Sequence, residues 1–374
     1  MSTNHTKKDK VIYIFIGTTA ELIKLFPVIL EFKKKNVSYK IITSGQNTIN
    51  FREFNNIFPK EKIYRSIQNK KPQSSMFHFL IWIILCLMRS IKIFFFERFS
   101  NGEQRNYVIV HGDTISALIG AISAKIFGFQ IVHIESGLRS FKLLQPFPEE
   151  ITRIIISYLA NINFCPNDWA VSNLKYRSSV KVNTYENTLI ESLQSALRLK
   201  NKSGYENVVR AEKYCVLVLH RQEHMFKKVL MEKMIRIILE NLGTDIKCVL
   251  VMHHITNGLI KDREINLLLS EYKDSIIKIP RLPYLKFMSL INASQFIITD
   301  GGSNQEESYY MGKPCLVIRD VTERIEGLKK NVVLSNYDEK KIKMFLRNYK
   351  KYERPRVVFS KRPSEIIANY LLTH

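Results

Sequence analysis

Residues 107–137 read YVIVHGDTISALIGAISAKIFGFQIVHIESG. The run Tyr107–Val110 is apolar, β-branched or aromatic, and stops at His111-Gly112-Asp113. The stretch Thr114–Phe127 keeps small residues on one face at helical spacing. A second apolar run, Gln130–Ile134, stops at Glu135-Ser136-Gly137. Short apolar run, helix, short apolar run is the pattern of strands joined by a helical crossover, which makes them parallel.

The pattern extends in both directions. Upstream, Val11–Ile16 is a strand-like run ended by Gly17, a helical stretch runs from about Thr19 to Lys35, and Tyr39–Thr43 ends at Ser44-Gly45. Downstream, Glu149 to Ala160 reads as a helix. A second series follows. Cys215–Leu219 ends at His220-Arg221, Cys248–Met252 at His253-His254, Ile276–Ile279 at Pro280, Phe296–Thr299 at Asp300-Gly301-Gly302 and Cys315–Ile318 at Arg319-Asp320. Between the series, residues 180–213 show no strong strand and carry the charged run Arg198–Lys202. The sequence therefore predicts an α/β chain of two Rossmann-like domains, 1–190 and 191–374, with a return of the last helix to the first domain as one option. A length of 374 residues suits two domains of about 150–200 residues. Ligands bind outside the carboxyl ends of parallel strands, so the polar strand ends predict two sheets facing an interdomain cleft.

Composition narrows the class. Hydrophobic residues are 45% and charged residues 24%, which is a globular balance and not a disordered one. The net charge of +23 is compatible with anionic substrates, anionic membranes or nucleic acid, and equally with solvated lysine runs such as Lys33-Lys34-Lys35 and Lys350-Lys351. No nucleic-acid-binding module accompanies the charge, so no nucleic-acid partner is expected. The five cysteines show neither metal-ligand spacing nor a disulfide framework, which fits a reducing, cytoplasmic setting and no metal. The polar N-terminus does not read as a secretory signal.

The segment from 76 to 96 stands apart. Met76 to Met88 (MFHFLIWIILCLM) is a nearly uninterrupted apolar run of 13 residues, then Arg89 and Lys92 intervene. That is shorter than the roughly 20 residues a bilayer span needs. A buried or subunit-interface helix, making a homodimer, is one reading; a helix lying at the inner face of a membrane with its cations toward headgroups is the other.

The chemistry-bearing residues sit at strand ends. Asp113 could cap the helix that follows it. However, Glu135 ends the next strand and Glu149-Glu150 opens the helix after that, and three acidic positions of this kind suggest a shared acid–base site. Arg139 and Arg153 in the same block can pair with these carboxylates or with phosphate oxygens. Asp300-Gly301-Gly302-Ser303-Asn304-Gln305-Glu306-Glu307 leaves a strand and opens a helix, where backbone amides suit a diphosphate and a carboxylate suits ribose hydroxyls. A plain strand-to-helix turn with a capping box is the alternative. His220 could be a general acid, a phosphate ligand or a surface histidine.

Together the motifs HGDT (His111–Thr114), HIESGLRS (His133–Ser140), PFPEEITR (Pro146–Arg153), HRQE (His220–Glu223), TDGGSNQEES (Thr299–Ser308), MGKP (Met311–Pro314) and RDVTER (Arg319–Arg324) resemble the UDP-N-acetylglucosamine 2-epimerase family, a branch of the GT-B fold. The match runs in order from Gly17 to about Arg324. The resemblance implies removal of the sugar C2 proton with expulsion of UDP, a 2-acetamidoglucal intermediate, and return of UDP on the other face. It implies Asp113, Glu135, Glu149 and His220 as the acid–base set. It also implies substrate contacts from Lys24 to phosphate, Phe287 to uracil, and Gly301, Gly302 and Glu307 to diphosphate and ribose, with Arg153, Ser303 and Arg319 in the same motifs. No metal or redox cofactor is required. The chain departs from the family at Thr19, where an arginine is usual, at Asn47, where a histidine is usual, and at Gly301 and Ser303, where serine and glycine exchange places.

The expectation is an isomerase acting on UDP-N-acetylglucosamine for surface-polysaccharide synthesis. A hydrolysing epimerase releasing N-acetylmannosamine and a membrane-peripheral GT-B glycosyltransferase are the alternatives, with a nucleotide-sugar-binding protein lacking activity behind them.

Overall fold

The computed structural model describes residues 10–47, 49, 63–67, 76–100, 106–198 and 213–374. The charged run at 198–202 lies, past Arg198, outside them. The chain divides into two compact units, the first comprising Met1–Ser192 with Phe359–His374 and the second Leu193–Val358.

The first unit is built on a seven-stranded sheet ordered β3-β2-β1-β4-β5-β6-β7. Its strands are β1 (Ile12–Ile16), β2 (Tyr39–Thr43), β3 (Ile63–Ser66), β4 (Tyr107–His111), β5 (Gln130–Ile134), β6 (Ile162–Cys165) and β7 (Val180–Asn183). All neighbours pair in parallel. β1 and β4 are buried along their whole length because helices cover both faces of a parallel sheet, and this is why they read as continuous apolar runs. The helices are α1 (Thr19–Lys34), α2 (Met76–Ser100), α3 (Ile115–Ile126), α4 (Glu149–Leu159), the short α5 (Asp168–Ser172) and α6, which begins at Leu189. Thr18 starts α1 with a capping box, its hydroxyl accepting from the Glu21 amide and the Glu21 carboxylate accepting from the Thr18 amide.

Residues 180–213 were expected to lack a strand, and β7 corrects this. It is an edge strand of sequence VKVN that pairs on one side only, so its side chains stay half-exposed and carry no apolar run. β3 (IYRS), at the opposite edge, is fully exposed for the same reason.

α2 is one continuous helix, not two apolar runs broken by Arg89 and Lys92. One stripe of it (Trp82, Cys86, Ser90, Phe94 and Glu97) is buried in the unit. The other sides leave Phe77, Leu80, Ile84, Met88, Phe96 and Phe99 exposed. The span Phe77–Ser100, with mean hydropathy 2.2, is long and apolar enough to cross a membrane by length and composition alone.

The second unit carries a six-stranded parallel sheet ordered β10-β9-β8-β11-β12-β13. Its strands are β8 (Lys213–Val218), β9 (Ile246–Met252), β10 (Ile276–Pro280), β11 (Ile297–Thr299), β12 (Cys315–Val317) and β13 (Val332–Leu334). Helices α7 (Lys228–Asn241), α8 (His254–Leu259), α9 (Arg263–Glu271), α10 (Tyr284–Ala293), α11 (Gly302–Met311) and α12 (Glu339–Asn348) surround it. The final helix, α13 (Pro363–Thr373), belongs to the first unit. Arg362, just before it, reaches Glu31 at 2.8 Å and Glu191 at 3.2 Å, and the Ser364 amide and hydroxyl both donate to Glu191.

Numbered within each unit, the second sheet runs 3-2-1-4-5-6, the doubly wound order, and the first runs the same way with a seventh strand added at the end. The direction of winding reverses between β1 and β4 in one unit and between β8 and β11 in the other. All five cysteines are buried free thiols.

Candidate active site

In the first unit the reversal point is built by the loops after β1, β4 and β5. Thr114, not Asp113, caps α3, accepting from the Ala117 amide at 3.0 Å. The Thr114 hydroxyl also donates to Glu21 at 2.6 Å, which ties the loop after β4 to the start of α1. Asp113 is thereby released from capping, and its carboxylate pairs with Arg153. Arg153 also holds Glu150 at 3.0 Å, and Arg139 holds Glu150 from the other side at 2.6 Å. Burial alone would push the Glu150 carboxyl up, but the two guanidinium groups and the Ser140 amide hold it below the usual carboxylate range. Arg139 and Arg153 are therefore both engaged by carboxylates. The Thr152 hydroxyl donates to the Asp113 carbonyl and, at 2.9 Å, to that of Glu149, so the first turn of α4 is anchored on the Asp113 loop. Glu149 is the half-buried first residue of that helix.

Glu135 follows β5 with a left-handed backbone, φ 63°, a conformation that costs a non-glycine residue energy and clusters at functional sites. Its carboxylate receives the Lys24 ammonium on both oxygens, at 2.6 and 2.9 Å, and an amide proton from Asn187. Asn187 is itself fixed, because its side-chain oxygen accepts from the Leu189 amide at the start of α6. Lys24 is thus committed to Glu135. Between these groups lies His133, buried, its Nε2 donating to the Gly112 carbonyl at 2.7 Å. Burial drives its pKa down to about 4, so it is a neutral spacer and not a charged ligand. Gly137 closes the loop. Its φ is 83°, and a Cβ there would lie 2.2 Å from the Ala170 carbonyl oxygen.

In the second unit the reversal point lies between β8 and β11. Asp300 leaves β11 fully buried and accepts the backbone amides of His220 (2.9 Å) and Arg221 (3.0 Å), which follow β8. The imidazole of His220 lies 2.9 Å from the same carboxylate and that of His224 lies 3.0 Å from it. Gly301 is the N-cap of α11 and Gly302 its first residue, with no side-chain cap, so the capping-box alternative does not hold. A Cβ on Gly301 would come within 2.5 Å of the His220 ring. Ser303 follows half-buried in the first turn. Glu307, one turn further, is buried and accepts from Asn304 at 2.9 Å. Burial and the nearby Glu307 push the Tyr284 hydroxyl well above its ordinary pKa. Arg319, among the largest fully buried side chains, pairs with Glu323 at 2.9 Å. Burial lowers its pKa, though Glu323 opposes this. Phe287 is half-buried on α10. His253 lies 5.8 Å from His220, ring to ring, and burial together with His254, His220 and Arg281 brings its pKa to about 4.

Among the described residues no group of three or more His, Cys, Asp or Glu side chains is placed to hold a metal ion. Each unit thus concentrates its polar side chains where a doubly wound sheet binds ligands. Asn187, Asp300 and His224 were not singled out from the sequence. An asparagine two residues before a helical run is one signal for the first, and the aspartate opening the glycine motif was quoted without a role.

Residues 31–361 match the family model described as UDP-N-acetylglucosamine 2-epimerase. The chain belongs to the UDP-N-acetylglucosamine 2-epimerase family. It is 32% identical over 340 residues to the UDP-N-acetylglucosamine 2-epimerase of Campylobacter jejuni, covering 87% of this chain and 85% of that one. Among solved structures, the UDP-GlcNAc 2-epimerase of Neisseria meningitidis bound to UDP-GlcNAc superposes with a TM-score of 0.76 at 26% identity, covering 98% of this chain and all of the other (100%). The S. aureus MnaA–UDP structure gives 0.77 at 25%, covering 98% and 96%. The family places the two α/β units in the GT-B-like class and the protein among isomerase-type nucleotide-sugar enzymes. The Campylobacter and Neisseria relatives are named as epimerases, and those names lend no support to the glycosyl-transfer or hydrolytic alternatives.

Proposed function

We propose that the protein inverts C2 of UDP-N-acetylglucosamine by eliminating and re-adding UDP. The observation that carries this reading is Glu135, a strained, buried carboxylate gripped by Lys24 and Asn187 at the end of β5. The C2 proton is weakly acidic, so its removal needs a base held in one geometry. Asp113, Glu135, Glu149 and His220 make up the acid–base set in this reading. The C2–H electrons form the C1–C2 double bond as the C1–O bond breaks, and its pair leaves with UDP. The glucal then takes UDP back at C1 and a proton at C2 on the opposite face.

In the same reading the uncapped start of α11 presents the amides of Gly301, Gly302 and Ser303 to the diphosphate, where the helix dipole adds positive potential. Glu307 meets the ribose hydroxyls and Phe287 stacks on uracil, while Lys24, Arg153 and Arg319, each held by a carboxylate in the free protein, turn their cationic charge to the substrate when it binds. The chemistry calls for no metal or redox group. The enzyme acts in the cytoplasm and supplies surface-polysaccharide synthesis. It pairs as a homodimer over the exposed apolar side of α2; peripheral membrane contact through 76–96 is the competing use of that face, and co-sedimentation with anionic vesicles separates the two.

The deciding experiment is incubation with UDP-N-acetylglucosamine in heavy water. Deuterium at C2 of the recovered UDP-sugar supports the proposal. The absence of both exchange and UDP release would overturn it. Net accumulation of free N-acetylmannosamine would instead indicate hydrolysis, and sugar transfer only with an added acceptor would indicate a glycosyltransferase.

A further inference from the structure

Asp300 has a second imidazole that the epimerase reading does not use. His224, in the 3-10 turn Gln222–Phe226, is completely buried, with Nδ1 3.0 Å from one Asp300 oxygen and Nε2 3.3 Å from the Tyr337 hydroxyl. His220 Nδ1 lies 2.9 Å from the other oxygen. We propose that Asp300 and His224 are a positioning pair for His220, which fix its ring with Nδ1 protonated and set how readily Nε2 takes up and releases a proton. The proposal rests on the nucleotide-sugar reading for its chemistry, but not for its geometry.

Asp300 is fully buried, and burial favours its neutral form. The two imidazoles override this and hold it well below the usual carboxylate range. An ionised carboxylate can only accept hydrogen bonds. A ring nitrogen within 3 Å of it must therefore carry a hydrogen, since the other tautomer would set a lone pair against an anionic oxygen. His220 is then left with Nε2 as its exchanging nitrogen. That edge of the ring lies against Gly301, where an added Cβ would sit 2.5 Å from Cε1 and 3.2 Å from Nε2. Nε2 consequently borders the uncapped start of α11. When the C1–O bond breaks, its electron pair goes to the phosphate oxygen. The Nε2 proton can follow, leaving a neutral ring still anchored through Nδ1–H.

The two members of the pair act in opposite senses. The negative charge on Asp300 favours a proton on Nε2. His224 brings its Nδ1 to 3.0 Å from the same carboxylate and, by sharing its charge, weakens that pull. Other charged and titratable groups nearby are His253, whose ring is 5.8 Å away, His254, which is coupled to His220 by charge, and Arg221, whose guanidinium donates to the Asp300 carbonyl and faces Glu323 at 3.4 Å.

The test is nitrogen-15 NMR of the full chain with labelled histidine, His220 being assigned from the signals lost in His220→Gln. The expected result is that the neutral form of His220 carries its hydrogen on Nδ1, so that Nε2 is the nitrogen that gains and loses the proton. His224→Phe should move the His220 titration up by half a pH unit or more, and His224→Gln, whose amide can still donate, should restore it. Asp300→Asn should move the titration down. The pH profile of UDP release should follow in each case. A neutral His220 with its hydrogen on Nε2, or a titration unmoved in His224→Phe, overturns the proposal. If Asp300→Asn does not fold, the His224 pair of variants decides alone. UDP affinity is measured on the same samples. Absent UDP binding with the expected tautomer would sink the nucleotide-sugar reading and leave the positioning pair standing.

Discussion

Lys24 holds Glu135 through both carboxylate oxygens, at 2.6 and 2.9 Å, with both side chains almost entirely out of water. Removing either partner leaves a charge in a site that cannot solvate it, a loss of about 3–5 kcal/mol. Glu135→Gln should lower C2 deuterium exchange by about 10²–10⁴-fold, the usual contribution of a positioned base, while UDP still binds. Lys24→Met should lower stability to denaturant. The double variant should recover much of that stability without recovering exchange, because both charges have gone. Exchange that survives in Glu135→Gln removes Glu135 from the mechanism.

Gly301→Ala tests the seat of His220. Its backbone φ of −93° suits any residue, so the variant should fold with little change in Tm. The new methyl would displace the His220 ring from a 2.5 Å approach. UDP release should fall by tenfold or more. Normal turnover would show that His220 need not lie there.

Glu21 gives a pH prediction. Burial raises its carboxyl to about 7 from 4.5, although the Thr114 hydroxyl and the Gly17 and Thr18 amides work against the rise. Between these two values the folded chain holds a proton that the unfolded chain has released. Stability from this group is therefore greatest below about 4.5 and declines as pH rises through 7. Glu21→Gln should flatten that part of the Tm-versus-pH curve. An unchanged slope between pH 5 and 8 would count against a buried, high-pKa Glu21.

Gly137→Ala combines a left-handed φ of 83° with a Cβ 2.2 Å from the Ala170 carbonyl oxygen. The conformational cost is about 1–2 kcal/mol, and the clash with backbone adds to it. Urea denaturation should show a loss of at least about 2 kcal/mol. Exchange should fall as well, because the Glu135 loop must move.

Thr19→Arg probes the altered phosphate grip. Thr19 is the half-exposed first residue of α1, where an arginine can be accommodated. A charge-assisted hydrogen bond contributes about 1.5–3 kcal/mol, so UDP should bind on the order of tenfold more tightly by calorimetry. No gain would mean that this position does not face the diphosphate.

The central strands were legible because both faces are buried. β4 and β5 spell themselves as apolar runs, and each ends where its polar side chain is needed. The edge strands β3 and β7 were not, since one-sided pairing demands no apolar run. The carboxylates Asp113, Glu135 and Glu149 could be picked out by their place after strands and at a helix start. Their partners could not. Asn187 lies 52 residues from Glu135 along the chain, and Asp300 lies 80 from His220. Such pairs are created by the crossing of strands, and no local pattern announces them. The capping alternative for Asp113 failed for a simpler reason, in that Thr114 is one residue closer to the helix and takes the task.

The placement of α13 bears on the order in which the protein is made. The second unit is contiguous from Leu193 to Val358, whereas the first needs Phe359–His374 to finish its structure. On a ribosome working from the amino end, the second unit is complete while the first still lacks the helix preceded by Arg362, the partner of Glu31 and Glu191. The carboxylate-bearing unit is translated first and finished last.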